Sequence, residues 1–259
     1  MQPSTSCRRG TTASWAPSAQ ELLDRGLEDA ALKEDTAEVR RLCALGARDR
    51  EDLYSADTGH REEGAAVLTY CVDNDLRSSV LALLRHYPYT PGQLGSAMGY
   101  AAMDTRLSVL RMLLAAGASM LDEDGRCIAM YNAAEAGQEQ ALKVLLDAGA
   151  DVNLPMEIDV AAPPGHPGLC SVETTETVLL AAATNGRKRA VAMLLDAGAA
   201  IDCKTSADDR TALGGAAAKR RTGVVRLLLA RGADARLVDT SLVRDPAILR
   251  ILQARGGGR

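Results

Sequence analysis

The chain has 259 residues and a net charge of −4, and 47% of its residues are hydrophobic although it has no Phe, one Trp and six Tyr. Ala and Leu must therefore fill the core, which favours helix packed on helix and argues against a β-sandwich. No apolar run approaches the ~18 residues of a membrane span, so we expect none. The six Cys are widely spaced and indicate reduced thiols in an intracellular protein, cytoplasmic or alternatively nuclear.

The amino-terminal segment, residues 1–17, is rich in Ser and Thr and has no apolar stretch. It lacks the hydrophobic region of a secretory signal, so we expect a disordered tail, with a transit peptide as the alternative. Three copies of one pattern follow, at 27–47, 68–88 and 98–118. In each copy a short apolar helix is followed by a turn and a second helix with a hydrophobic stripe. An acidic, turn-rich insertion, 48–65, separates the first two copies.

The pattern is clearest in three ungapped copies, at 128–153, 177–202 and 211–236. Each copy predicts a short Ala-rich helix, a turn, a longer helix ending in Leu-Leu, and a Gly-Ala exit. In the first of them, Gly137 is expected to close the short helix in a left-handed conformation. Leu145 belongs to an apolar stripe on the longer helix. One such pair cannot bury both its faces, but stacked copies can.

The remaining segments complete the repeat pattern. A Pro/Gly-rich insertion, 153–176, separates two of the clear copies, and we expect it at an exposed connecting edge. The last copy, 237–257, has Asp245 as a predicted helix N-cap and Pro246 at the first helical position. The sequence therefore predicts about seven helix pairs.

These copies resemble the ankyrin repeat, whose pattern combines a D-x-x-G turn, paired Ala, paired Leu and an exit of the type G-A-D. The best matches are Asp122–Gly125, Ala133–Ala134, Leu145–Leu146 and Gly149–Asn153. The family's T-P-L-H tetrapeptide is degraded in all copies, for example to T-A-L-G. The resemblance covers residues 18–257 and implies an all-α solenoid of about seven helix pairs with short hairpin-like fingers.

The resemblance also implies a function. Ankyrin-repeat proteins bind protein partners on the concave face formed by the fingers and the short inner helices, so we expect an adaptor or scaffold that is monomeric and not an enzyme. Outward-pointing inner-helix residues would contact the partner, with Tyr70 and Tyr100 as the main anchors. The full set is Tyr70, Asp73, Asn74, Tyr100, Met103, Asp104, Asn132, Glu135, Thr184, Asn185 and Lys219.

Basic residues are concentrated near the carboxyl terminus. Residues 1–186 hold 15 basic and 27 acidic side chains, whereas residues 187–259 hold 15 basic and 7 acidic. Arg187, Lys188 and Arg189 fall in one predicted inter-helix turn and Lys219, Arg220 and Arg221 in the next; we call these six the basic ridge. Arg244 takes the corresponding place in the last copy. The ridge is either a solvated rim or a surface for an acidic protein. Nucleic acid ranks last, because no aromatic residue follows Tyr131 to stack on bases.

Chemistry other than binding has little support in the sequence. The three His are His60, His86 and His166, and only His166 has a Cys nearby, Cys170. The acidic run 122–125 lacks the spacing of a calcium-binding loop and is better explained as a turn. We expect neither a metal nor a cofactor. The alternative hypothesis is a small-molecule pocket or an atypical enzyme site in the insertion 153–176, with Glu157, Asp159 and Glu173 beside His166 and Cys170.

Overall fold

The computed structural model describes residues 18–49, 66–104, 106–121, 127–154, 156–160, 172–205 and 210–256. The predicted tail 1–17, most of the insertion 48–65 and the turn 122–125 lie outside the described residues. Within them the chain forms thirteen α-helices, which confirms the all-α prediction. In chain order they are α1 (Ala19–Leu32), α2 (Thr36–Ala44), α3 (Ala66–Asp73), α4 (Arg77–His86), α5 (Pro91–Met103), α6 (Leu107–Ala115), α7 (Ile128–Ala136), α8 (Glu139–Asp147), α9 (Val178–Thr184), α10 (Lys188–Asp196), α11 (Ala212–Ala218), α12 (Thr222–Ala230) and α13 (Pro246–Ala254).

The helices form two layers of a solenoid. The inner helices α1, α3, α5, α7, α9 and α11 each pack against the next inner helix, and the outer helices α2, α4, α6, α8, α10, α12 and α13 do the same. One inner helix and the following outer helix form a unit. Ala133, Ala134 and Leu145 are fully buried between neighbouring units, so the apolar stripes read from the sequence are the faces that the stack buries.

Small residues let neighbouring inner helices approach closely. A Cβ on Gly215 would lie 2.6 Å from side-chain carbons of both Leu180 and Thr184. A Cβ on Gly99 would lie 2.7 Å from the Cγ2 atom of Ile128. Any larger residue at these two positions would push adjacent units apart, which explains why a core of this kind has little use for aromatic residues.

In five units a residue with left-handed backbone lies between the inner and outer helices, and we call this position the turn residue; in the third unit it is position 105, outside the described residues. Gly137 and Gly186 have φ of 78° and 75° at this position, as the sequence predicted for Gly137. Three units have other residues there: Glu34, Asp75 and Arg220, with φ of 52°, 54° and 59°. A side chain in this conformation costs about 1 kcal/mol relative to Gly.

The seventh unit differs from the others in one respect. Pro246 begins α13 and Asp245 caps it, as predicted, but two 3-10 turns, Ala235–Leu237 and Thr240–Leu242, replace the inner helix. The carboxylates of Asp234 and Asp239 accept hydrogen bonds from the backbone N–H two residues later, which holds each turn tight. The last repeat is also too short for a full inner helix after its turn.

The second insertion contains regular structure that the sequence did not predict. The strands β1 (Met156–Val160) and β2 (Val172–Glu176) pair antiparallel, with Met156 opposite Glu176 and Val160 opposite Val172. The insertion is therefore, in its described part, a β-ribbon that leads from the exit of α8 back to the start of α9. The side chain of Glu176 anchors its base, since the Tyr131 hydroxyl donates a 2.7 Å hydrogen bond to it.

Two aspartates hold the chain where the first insertion leaves and re-enters the stack. The carboxylate of Asp49 accepts hydrogen bonds from the backbone N–H of Val67 at 2.7 Å and of Leu68 at 3.0 Å, in the first turn of α3. The Tyr89 hydroxyl donates to the same carboxylate at 2.7 Å. Asp24, which is fully buried, accepts from the N–H of Arg48 at 2.7 Å. Asp49 thus acts as a distant N-cap for α3.

Candidate interaction surface

The carboxyl ends of the inner helices are joined by side chains from the outer helices. The N-cap residue of each outer helix follows the turn residue, and in three successive units it donates to a backbone carbonyl of the preceding unit. Gln138 Nε2 donates to the Met103 carbonyl at 2.8 Å. Arg187 Nε donates to the Glu135 carbonyl at 2.9 Å, and Arg221 Nε to the Thr184 carbonyl at 3.0 Å. We call this row of bonds the inter-unit ladder.

The acceptors of the ladder occupy one position, two residues before the turn residue. A fourth link at the same place uses a side chain, since Arg106 Nη1 pairs with the Asp73 carboxylate at 3.2 Å. The Arg106 guanidinium also pairs with Asp104 of its own unit at 2.8 Å. The structure therefore brings the predicted contact residues Asp73 and Asp104 together around one cation. Sequence reasoning missed Arg106 and Gln138, although both have the repeat register of Arg187 and Arg221.

The predicted anchors Tyr70 and Tyr100 are half-buried, and Tyr100 packs against the core. Each lies five residues before its turn position, a place taken by Asn132 in the fourth unit and Gly215 in the sixth. Asn132 Nδ2 donates to the Gly99 carbonyl of the preceding unit at 3.2 Å. This position therefore lies at the seam between inner helices in two units, and part of the Tyr100 ring is committed to packing.

The other predicted contact residues divide by exposure. Those exposed at the ends of inner helices are Asp73, Asn74, Met103, Asp104 and Lys219, and those half-buried are Glu135, Thr184 and Asn185. The amides of Asn74 and Asn185 donate to carbonyls four residues earlier and so close their helices. The Thr184 hydroxyl likewise donates to the Leu180 carbonyl at 2.9 Å. Met103 is the large apolar side chain of this set, 42% exposed.

The basic ridge has two kinds of member. Arg187 and Arg221 form rungs of the inter-unit ladder, and the Arg189 guanidinium pairs with Glu139 at 3.4 Å. Lys188, Lys219 and Arg220 are exposed and form no hydrogen bond or ion pair from their side chains in the described part of the chain. Half of the ridge is therefore structural, and the other half remains available to a partner.

The ladder arginines also explain the glycines beneath them. A Cβ on Gly137 would lie 2.7 Å from Cδ of Arg187, and one on Gly186 would lie 2.8 Å from Cδ of Arg221. Each guanidinium reaches back over the turn of the preceding unit on its way to the carbonyl. Gly is thus required there both by the left-handed backbone and by the side chain that passes over it.

The residues of the alternative pocket hypothesis are only partly within the described structure. His166 and Cys170 lie outside it, and Asp159 lies opposite Glu173 in the β-ribbon. His86 is exposed at the end of α4. Across the described ranges no group of three or more His, Cys, Asp or Glu comes together as a metal site. Nor is any helix in those ranges long and apolar enough to cross a membrane.

Burial raises the pKa values of one thiol and two phenols in this stack. Burial raises the pKa of the Cys71 thiol to about 12, and Asp49 adds to the effect. Burial also raises the pKa of Tyr131, with its hydrogen bond to Glu176 as the second cause. The pKa of Tyr89 is raised well above its usual value by burial and by the charge of Asp49. None of these groups is poised for proton transfer near neutral pH.

The architecture and two comparisons identify the fold. The family model described as ankyrin repeats (3 copies) matches residues 163–239. The chain superposes on the ankyrin repeat domain of Bcl-3, a member of the IkappaB protein family, with a TM-score of 0.62 and 22% identity over 88% of this chain and 97% of that one. The chain has the ankyrin-repeat fold.

A second solved structure agrees with that assignment. The human ASB11 ankyrin repeat domain matches with a TM-score of 0.64 and 20% identity, over 90% of this chain and 98% of that one. At such identity the likeness concerns the fold. No curated protein matches the chain. The ankyrin repeat is a general protein–protein interaction module, so the surface formed by these repeats is the candidate functional site.

Proposed function

We propose that this ankyrin-repeat protein is an intracellular adaptor or scaffold that binds a protein partner on its concave, inner-helix surface and acts without catalysis. The observation that carries the proposal is the inter-unit ladder. It fixes the carboxyl ends of successive inner helices side by side, from Asp73 to Thr184. A surface held in this way loses little conformational entropy on binding, which is what a preformed docking face requires.

The chemistry of this surface supports a protein partner. Met103, 42% exposed, lies next to Asp104, which is paired with Arg106. An apolar side chain bordered by a charged network is the arrangement of an interface core and its polar rim. Tyr70 and Tyr100 add the exposed parts of their rings. The described cysteines, Cys43, Cys71, Cys127 and Cys203, are free thiols, which supports the cytoplasm as the location, with the nucleus as the alternative.

Affinity capture from the native cell tests the proposal. Tagged wild-type chain is compared with Tyr70→Ala, Tyr100→Ala and Met103→Asp, and the captured proteins are quantified by mass spectrometry. We expect each variant to lose the same partner, because anchors near the centre of an interface carry most of its energy. Circular dichroism checks the fold, which matters most for Tyr100, since its ring also packs on the core.

The matched control is Lys143→Ala, which removes an exposed side chain on the outer helix α8. It should leave capture unchanged. If the folded inner-helix variants retain the partner and the outer-helix variant loses it, the partner binds the opposite layer and the proposal is wrong.

A further inference from the structure

The inter-unit ladder stops after the sixth unit, and a groove opens where its next rung would be. The N-cap residue of α13 is Asp245, whose carboxylate accepts a 2.8 Å hydrogen bond from the N–H of Ala247. A carboxylate cannot donate to the Ala218 carbonyl, which has the register of the ladder acceptors. The groove is about 460 Å³ and is lined by Arg210, Ala218, Lys219, Arg220, Leu242 and Arg244.

Three of the positively charged side chains that line the groove have no partner in the described part of the chain. Lys219, Arg220 and Arg244 are exposed, and none of them forms a side-chain hydrogen bond or ion pair in the described part of the chain. Two described acids close to Leu242 and Arg244 in the sequence accept backbone hydrogen bonds, Asp239 from the N–H of Ser241 and Asp245 from that of Ala247. Cations gathered in a concave surface attract an anionic ligand more strongly than the same charges on a convex one.

Arg220 also has a left-handed backbone conformation, which is unfavourable for residues other than Gly. It is the turn residue of the sixth unit, with φ of 59°, where the two preceding units have Gly137 and Gly186. Its side chain is exposed, but the left-handed backbone still costs free energy. Glu34 and Asp75 share this conformation in the first two units, so the turn accepts a charged side chain, and at Arg220 that side chain lines the groove.

The apolar part of the lining selects among anionic ligands. Leu242 is 50% exposed, and Ala218 lies beside it in the groove. A bare polyanion would leave this apolar surface uncovered, whereas a peptide can cover it with one apolar side chain. The sequence has no aromatic residue after Tyr131, so the stacking platform that single-stranded nucleic acids use is absent here.

We propose that this groove binds an acidic peptide segment of a partner protein. Glutamate or aspartate side chains pair with Lys219, Arg220 and Arg244, and one apolar side chain packs on Leu242. The inference rests on the proposed function as an interaction module, and it adds the chemical class of the partner and a second contact at the carboxyl-terminal end of the stack.

The test uses the full chain and a labelled twelve-residue peptide of glutamates and aspartates around a single leucine, followed by fluorescence anisotropy. Arg220→Gly should raise the thermal midpoint, because Gly relieves the backbone strain, and should weaken peptide binding about fivefold. Glu34→Gly is the matched control: it makes the same backbone change in the first unit and should raise the midpoint without affecting binding. If Arg220 had only a structural role, its replacement by Gly would not produce a protein that is more stable and yet binds the peptide more weakly.

Two further comparisons make the specificity falsifiable. Arg250→Gln removes an exposed cation of α13 that does not line the groove, and it should leave binding within about twofold. Leu242→Ser should weaken the leucine peptide but leave the same peptide with serine in place of leucine unchanged. The proposal is overturned if the peptide does not bind, if Arg250→Gln weakens it as much as Arg220→Gly, or if an oligonucleotide of equal charge competes equally well.

Failure here is distinguishable from failure of the proposed function. If peptide binding is absent or nonspecific while Tyr70→Ala and Met103→Asp still abolish capture, the inner-helix surface stands and the groove proposal falls. If Arg220→Gly and Leu242→Ser weaken peptide binding as expected while Tyr70→Ala and Met103→Asp leave partner capture unchanged, the groove proposal stands and the inner-helix surface is not the partner's binding site.

Discussion

The Nε atom of Arg221 donates a 3.0 Å hydrogen bond to the carbonyl of Thr184, the last residue of the preceding unit's inner helix. Helix ends leave carbonyls without intrahelical partners, and here the next repeat supplies the donor. The bond therefore serves two purposes, since it satisfies a helix terminus and couples neighbouring units. In a repeat protein, stability is largely the sum of such nearest-neighbour terms.

Removal of one hydrogen bond of the inter-unit ladder should destabilise the protein measurably. We expect Arg221→Ala to lower the free energy of unfolding by about 1 kcal/mol, because it removes one charge-assisted hydrogen bond at an exposed site. Urea denaturation followed by circular dichroism measures this. Lys188→Ala, which removes an exposed cation with no such bond, should change stability by less than about 0.5 kcal/mol. Equal effects from both would mean that the ladder contributes nothing.

Truncation of a core side chain should lower the free energy of unfolding several times more than loss of a ladder hydrogen bond does. Leu145 is fully buried, and Leu145→Ala should destabilise the protein by about 2–5 kcal/mol, since it removes apolar contacts and leaves a cavity. Leu22→Ala is the control, because Leu22 is 57% exposed on α1. A melting curve for Leu145→Ala that matches wild type would show that the units are not packed as described.

The Asp49 anchor gives a third prediction. Tyr89→Phe should cost about 1 kcal/mol for one lost hydrogen bond. Asp49→Ala should cost more, because it also leaves the N–H groups of Val67 and Leu68 without their acceptor. Asp29→Ala, the loss of an exposed acid on α1, is the control in the same denaturation assay. If Asp49→Ala destabilises the protein no more than Asp29→Ala does, Asp49 does not hold the start of α3.

Thiol reactivity should follow burial. The pKa of Cys71 is raised to about 12, whereas Cys203 is exposed. At pH 8 we therefore expect maleimide to label Cys203 at least about a hundredfold faster than Cys71, because the thiolate is the reactive form. Peptide mass spectrometry of the native chain measures both rates. Rapid labelling of Cys71 without unfolding would contradict its placement in the core.

The raised pKa of Cys71 also makes the stability of the protein depend on pH, in a direction set by which state binds more protons. In the unfolded chain the thiol ionises near the ordinary cysteine pKa of 9.0, while the folded one holds its proton to about 12. Between these values the unfolded state binds fewer protons, so stability decreases as pH rises. Below about pH 9 Cys71 contributes no pH dependence. Cys71→Ala should flatten the alkaline decline, although Tyr89 and Tyr131, whose pKa values are also raised, keep part of it.

Much of the architecture could be predicted from the sequence because its signals are local and repeated. The Ala-Ala and Leu-Leu phase marks the buried faces, and Gly137 and Gly149 mark helix ends, with φ of 78° and 90°. The cap at Asp245 follows from its place before Pro246. Each of these features depends on neighbours within a few residues, and repetition confirms it several times along the chain.

What could not be predicted depends on contacts between units. Tyr70 and Tyr100 have the spacing of outward-facing residues, but both are half-buried and Tyr100 packs against the core, which only the stack defines. Arg187 and Arg221 were grouped with freely exposed cations because a chain sequence does not show the carbonyl that each one reaches. The β-ribbon was missed because its strands, each of five residues, lie inside a segment rich in Pro and Gly.

The most direct test of the central claim is site-specific photo-crosslinking in the native cell. A crosslinking residue replaces Met103 at the end of inner helix α5 in one protein and Lys143 on outer helix α8 in the other; both positions are exposed. If the inner-helix surface binds the partner, the Met103 site yields one dominant crosslinked protein and the Lys143 site does not. A dominant product from the Lys143 site alone would contradict the account.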